Sequence, residues 1–139
     1  MHQAHTSLQV QTRGRAFVDI TRETEEWVRG CNIVDGLLTV FIRHTSASLL
    51  IQENADPEVL RDLQRFFARL VPDGDTLFKH RAEGDDDMPA HVRAALTQTH
   101  LSIPVVGAKP ALGTWQGIYL VEHRVRAHRR EVMLHLIGQ

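Results

Sequence analysis

The run Arg130 to Ile137 alternates without a break. Val132, Leu134 and Leu136 fall on one side of an extended chain and Glu131, Met133 and His135 on the other. A period of two specifies a strand with one face in a core, and no helix can satisfy it. The β-rich run Leu37 to Arg43 repeats the signature, with Leu38, Val40 and Ile42 together, and so do residues 16–20, where Ala16, Val18 and Ile20 alternate with Phe17 and Asp19. Residues 7–13, Ser46–Gln52, Ser102–Val106 (interrupted at Pro104) and Trp115–Arg124 also read as strands, with Trp115 in the core. Three stretches read as helices. Thr21 is a predicted N-cap for one reaching about Cys31, with Glu23, Glu25 and Glu26 in its first turns. Asp56-Pro57 opens a second, whose stripe of Val59, Leu60, Leu63, Phe66, Phe67 and Leu70 predicts a core face and which ends at Pro72 and Asp73-Gly74. Pro89 starts a third, to about Thr99. Many strands, about three helices and no βαβ rhythm specify an α+β fold with a mostly antiparallel, sandwich- or barrel-like sheet, in a single domain over 1–139.

Composition narrows the function. At 42% hydrophobic and 24% charged residues, the chain suits one soluble domain. A net charge of −1 excludes nucleic acid or an anionic membrane as the main partner. No apolar run approaches the roughly 20 residues that span a bilayer. The first ten residues lack the basic and apolar regions of a signal peptide. Cys31 is the only cysteine, which rules out an intrachain disulfide, fits a cytoplasmic location, and reads as a half-buried residue at a helix end. His2 and His5 fall in a terminus expected to fray.

Candidate chemistry gathers in a few segments. His80 to His91 reads HRAEGDDDMPAH and brings His80, Glu83, Asp86, Asp87 and His91 into a loop bent at Gly84 that runs into a helix. Imidazole nitrogen and carboxylate oxygen are zinc ligands. Asp87 and His91, one helical turn apart, suit two co-ligands or an aspartate that orients the imidazole. Asp85 reads as helix-dipole charge. His44, next to Thr45 and Ser46, reads as a ligand, a general base or an oxyanion donor on even terms with a strand-end histidine whose neighbouring hydroxyls satisfy turn amides. Asp56 has a capping role, which leaves Glu53 as an acid/base candidate, with Asn54 beside it. Gly113 and Thr114 can offer an amide and a hydroxyl to an anion, with Gln116 following. His123 lies on the Tyr119 and Val121 face of its strand, between Glu122 and Arg124.

Several of these segments resemble one family: His44-Thr45-Ser46-Ala47-Ser48, Glu53-Asn54, Asp56-Pro57, Glu83-Gly84 with Asp86-Asp87-Met88-Pro89 and His91, Ile103-Pro104, Gly113-Thr114-Trp115-Gln116-Gly117 and Glu122-His123-Arg124. In order and over nearly the whole chain they are similar to the YjbQ-like family, also called the secondary thiamine-phosphate synthase family. The resemblance implies an α+β homotrimer with a metal-bearing site and a weak ability to couple a pyrimidine pyrophosphate to a thiazole phosphate. It implies a divalent metal, zinc, on three of His44, His80, His91 and His123. It makes Asp86, Asp87 and Glu53 the acid/base candidates, and Thr45, Ser46, Asn54, Lys109, Gly113, Thr114, Gln116 and Arg124 the groups for a small anionic substrate. Where the family carries Gly-Arg, this chain has Ala108-Lys109, a point charge in place of a bidentate fork. A metal-dependent hydrolase and a non-catalytic ligand-binding trimer are the competing readings.

Overall fold

A computed structural model describes residues 1–139. Eleven elements follow in order: β1 (His2–Gln11), β2 (Ala16–Asp19), α1 (Thr21–Gly30), β3 (Gly36–Ile42), β4 (Ala47–Glu53), α2 (Pro57–Leu70), α3 (Asp87–Leu96), β5 (His100–Val106), β6 (Lys109–Pro110), β7 (Gln116–Glu122) and β8 (Arg129–Gly138). They build a five-stranded sheet in the order β1-β8-β3-β5-β6 and a three-stranded sheet in the order β2-β7-β4. Every pairing is antiparallel. The α+β class expected from the alternation is the fold observed.

The alternating faces make the core. Leu38, Val40 and Ile42 of β3, Leu101, Ile103 and Val105 of β5, and Val132, Leu134 and Leu136 of β8 face Ala47, Leu49, Ile118 and Leu120 of the smaller sheet. Ile20 and Val28 of the α1 region pack against the same cluster. No helix is long and apolar enough to cross a membrane.

Five expectations are corrected. The N-terminus is not frayed, because His2 to Gln11 pair along the whole of β8. Thr21 is the first residue of α1 and caps nothing; its hydroxyl accepts from the Ile118 amide at 2.8 Å. Pro104 does not interrupt β5: its carbonyl accepts from the Ala111 amide at 2.8 Å on the β6 side, so the missing N–H falls on that side and costs the ladder with β3 nothing. Trp115 lies before β7 and is 63% exposed. The apolar stripe of α2 buries none of its residues, and Phe66 is 59% exposed. Asp56 does cap α2, accepting from the Glu58 amide at 2.9 Å, with Pro57 following. Cys31 ends α1, its thiol on the Trp27 carbonyl and its pKa raised by burial.

The β5–β6 turn is a two-residue hairpin at Gly107-Ala108, with φ of +60° and +61°. Type I′ hairpins require both residues there, which glycine tolerates and alanine resists.

Candidate metal centre

Gly84, at φ +106°, bends the loop so that Asp86 and Asp87 meet the end of β7. Asp86 holds the N-cap position of α3 without capping it. Its carboxylate accepts from Arg124 Nε at 2.9 Å and from the Val125 amide at 3.0 Å. Arg124 also donates to Asp87 Oδ1 at 2.6 Å and to the Glu83 carbonyl at 2.9 Å. One guanidinium therefore fixes both aspartates. Burial alone would raise the pKa of each carboxyl. In Asp86 the hydrogen bonds from Arg124 and Val125 outweigh it, and in Asp87 the bond from His80 and the charges of His91 and Arg124 do, so both lie below the ordinary range. The Arg124 pKa is raised in turn, mainly by the Asp86 bond.

Asp87 is fully buried, and its second oxygen, Oδ2, lies 2.8 Å from His80 Nε2 and 3.2 Å from His91 Nε2. The three candidate ligand atoms lie within 4.8 Å of one another. His91 Nδ1 is 2.8 Å from the Thr45 carbonyl, which can only accept, so Nδ1 carries a proton. Nε2 of a neutral His91 then presents a lone pair to a carboxylate oxygen. That contact is repulsive unless His91 is protonated or a cation lies between the two atoms. A backbone carbonyl that fixes the far nitrogen is also the usual support of a metal-bound imidazole. The donor set, two imidazoles and a carboxylate with an exposed rim, fits zinc or a similar divalent ion.

His44 and His123 stand apart from this cluster. His44 Nε2 accepts from the Glu131 amide at 2.8 Å, and burial with the nearby Arg130 charge lowers its pKa. Its ring lines an open concavity shared with Thr45 and His91. His123 follows the last residue of β7 and continues its outward face, buried beneath α3, with Nε2 2.8 Å from Ser48 Oγ. Burial, then the Arg93 charge, pushes its pKa down to about 4. Ser46 Oγ accepts from Arg130 at 3.1 Å, and Thr45 contributes its carbonyl to His91.

The remaining predicted groups sit at the opposite end of the small sheet. Asn54, Lys109, Gly113, Thr114 and Gln116 share a concavity of about 410 Å³ with Thr21, Glu25 and Arg29. The Gly113 amide there donates to the Gln116 side chain at 2.7 Å. Glu53 ends β4 beside Gln116, and its Oε2 is buried without a hydrogen-bond partner. β4 has seven residues, so at about 3.3 Å per residue this end lies roughly 20 Å from Ala47.

Sequence reasoning missed the role of Arg130. It forms a buried ion pair with Glu122, whose carboxylate also accepts from Thr12 Oγ1 at 2.6 Å and the Arg124 amide at 3.1 Å. The signal was available in the parity: Arg130 continues the Val132 face, and Glu122 continues the Ile118 and Leu120 face.

The family profile described as UPF0047 protein YjbQ-like matches residues 6–139. The chain belongs to the YjbQ-like UPF0047 family. It is 51% identical over 132 residues to the UPF0047 protein sll1880 of Synechocystis sp., covering 95% of this chain and 90% of that one. It is 40% identical to the UPF0047 protein YjbQ of Escherichia coli O157:H7, over 96% of both chains. Among solved structures, the conserved hypothetical protein TT1486 of Thermus thermophilus superposes with a TM-score of 0.84 at 35% identity, covering 95% of this chain and 99% of that one. A YbjQ-like protein of Sulfolobus solfataricus P2 shares the fold at a TM-score of 0.87 and 23% identity, covering 99% of this chain and 100% of that one.

Proposed function

We propose that the protein is a metal-dependent enzyme acting on a small phosphorylated substrate, with His80, Asp87 and His91 as the protein ligands of a divalent ion, zinc fitting best. The observation that carries this reading is the arrangement at Asp87 Oδ2, where two ring nitrogens converge and one, by its bond to Thr45, is left a lone pair when neutral. Bound zinc supplies Lewis-acid polarisation of a phosphoryl oxygen. Arg124 is a positioning residue: its donors hold Asp86 and Asp87, which leaves little to offer a leaving group. Asp86, with its carboxylate taken by Arg124 and Val125, supports the site rather than moving a proton.

The reaction most consistent with the family resemblance is thiamine-phosphate synthesis from a pyrimidine pyrophosphate and a thiazole phosphate, as a secondary activity. Lys109, Thr114 and Asn54 would then cradle an anion. Within one chain they lie too far from the cluster to touch the same substrate. We assign the meeting of the two half-sites to a homotrimer, in which the cradle of one copy approaches the cluster of the next. The outer face of the five-stranded sheet supports assembly: Leu37, Phe41 and Ile137 stand exposed there with nothing covering them.

The test is incubation with the two thiamine-phosphate precursors, with and without chelator. Product that disappears with chelator and returns with zinc supports the reading. Chelator-sensitive cleavage of phosphate esters without coupling would move the assignment to a hydrolase, and metal binding without turnover to a binding protein.

A further inference from the structure

Between the outward face of β7 and α2 lies a further cavity, of about 180 Å³, which shares no lining residue with the His80, Asp87 and His91 cluster. Phe17, Phe67 and Val121 form its apolar wall, and Arg15, Gln64, Arg93, Glu122 and His123 its polar one. His91 and Arg93 leave α3 two residues apart, on roughly opposite sides of the helix.

Arg93 is the unusual member. The residue is only 5% exposed, yet its one side-chain hydrogen bond runs from Nη2 to the Val71 carbonyl at 2.9 Å, at the C-terminal end of α2. Nε is buried with no partner. The neighbouring charges are already matched. Arg15 pairs with Asp73 and donates to the His123 carbonyl, and Glu122 pairs with Arg130. One buried positive charge is therefore left over. The helix end that receives Nη2 offers only partial negative charge. A buried cation of this kind is costly unless an anion completes it.

We propose that this cavity is a binding site for a small organic anion, an aromatic or branched aliphatic carboxylate, whose carboxylate meets Arg93 and whose apolar body packs on Phe17, Phe67 and Val121. Size sets the class: an apolar cavity of about 150 Å³ accepts benzene, so this one suits a ring of that size with one substituent. Nothing in the reading of the metal cluster requires this site.

The test uses benzoate, its neutral isostere benzyl alcohol, and inorganic phosphate, titrated into the full chain with EDTA present so that carboxylate on a metal ion does not count. Binding is followed by amide chemical shifts and calorimetry. Benzoate is expected to bind saturably and to perturb Val121 and Phe17, at least about tenfold more tightly than benzyl alcohol, as a charge-assisted hydrogen bond implies. Phosphate, which lacks the apolar body, is expected to bind more weakly than benzoate. Arg93→Met should remove the preference for benzoate over the alcohol. Ala68→Leu, at an exposed position on the cavity wall, should block binding without touching Arg93, and decides the matter if Arg93→Met does not fold. Equal affinity for benzoate and benzyl alcohol, equal affinity for benzoate and phosphate, or benzoate binding unchanged by Ala68→Leu would each overturn the proposal.

Discussion

Replacing Glu122 with Gln removes a charge from the most buried ion pair in the molecule while keeping the shape. Glu122 accepts from Thr12, Arg130 and the Arg124 amide, and neither it nor Arg130 reaches solvent to any extent. Breaking a buried pair by removing one partner costs about 3–5 kcal/mol, because the remaining charge is left uncompensated. Gln retains an acceptor for Arg130, which puts the expected loss near the lower end, about 3 kcal/mol. At roughly 4 °C per kcal/mol for a domain of this size, thermal unfolding followed by circular dichroism should shift down by about 12 °C at pH 7. Acid gives a second readout. Burial alone raises the Glu122 pKa, but the bonds from Arg130 and Thr12 outweigh it and hold the carboxyl below its ordinary value. A depressed carboxyl contributes stability that is complete above the unfolded pKa of about 4.3 and is lost as pH falls through the folded one. The gap between wild type and Glu122→Gln should therefore narrow below about pH 4. The double variant Glu122→Leu with Arg130→Met should recover much of the loss, since neither charge is then stranded. A Glu122→Gln protein within about 0.5 kcal/mol of wild type, or a gap that widens on acidification, would refute the reasoning.

Asp87→Asn should fold, at a cost of about 1–3 kcal/mol for the weakened bond to Arg124, and should cut thiamine-phosphate formation at least about tenfold, a floor set below the usual acid–base contribution of about 10²–10⁴; wild-type turnover in a folded variant would remove Asp87 from the site. Ala108→Gly should stabilise the chain by about 1 kcal/mol in urea unfolding, because the residue at φ +61° would no longer strain its Cβ; a destabilised variant would contradict the hairpin assignment. Phe41→Asp, on the uncovered sheet face, should give a folded monomer by light scattering where the wild type is expected to give the proposed trimer; a monomeric wild type would remove the trimer, and an unchanged trimer mass would place assembly elsewhere.

The sheet was legible because period-two alternation leaves little freedom. The faces of β3 and β8 follow residue by residue from Leu38 and Val132. The first six residues carry no such alternation, and only their pairing with β8 makes them a strand. The α2 stripe predicts a core face and yet stays uncovered, because amphipathicity reports that a helix has an apolar face, not that the same chain covers it. In the candidate site, the four-residue spacing of Asp87 and His91 was legible. The return of His80 to them is suggested only by composition, because a loop has no periodicity to fix direction. His44 and His123 lie in family-like motifs of their own and outside the cluster, since parity sends His123 to the outer face of β7, under α3. Glu53 and Asn54 are close to Ser46 in sequence, yet a whole strand separates them in space.

Metal content of the purified protein, measured by plasma mass spectrometry after dialysis against zinc and then against buffer, tests the central claim most directly. The expected result is about one zinc per chain in the wild type, retained in His123→Ala and lost in both His91→Ala and Asp87→Asn. A wild type that retains no metal, or a His91→Ala protein that retains the full complement, would contradict it.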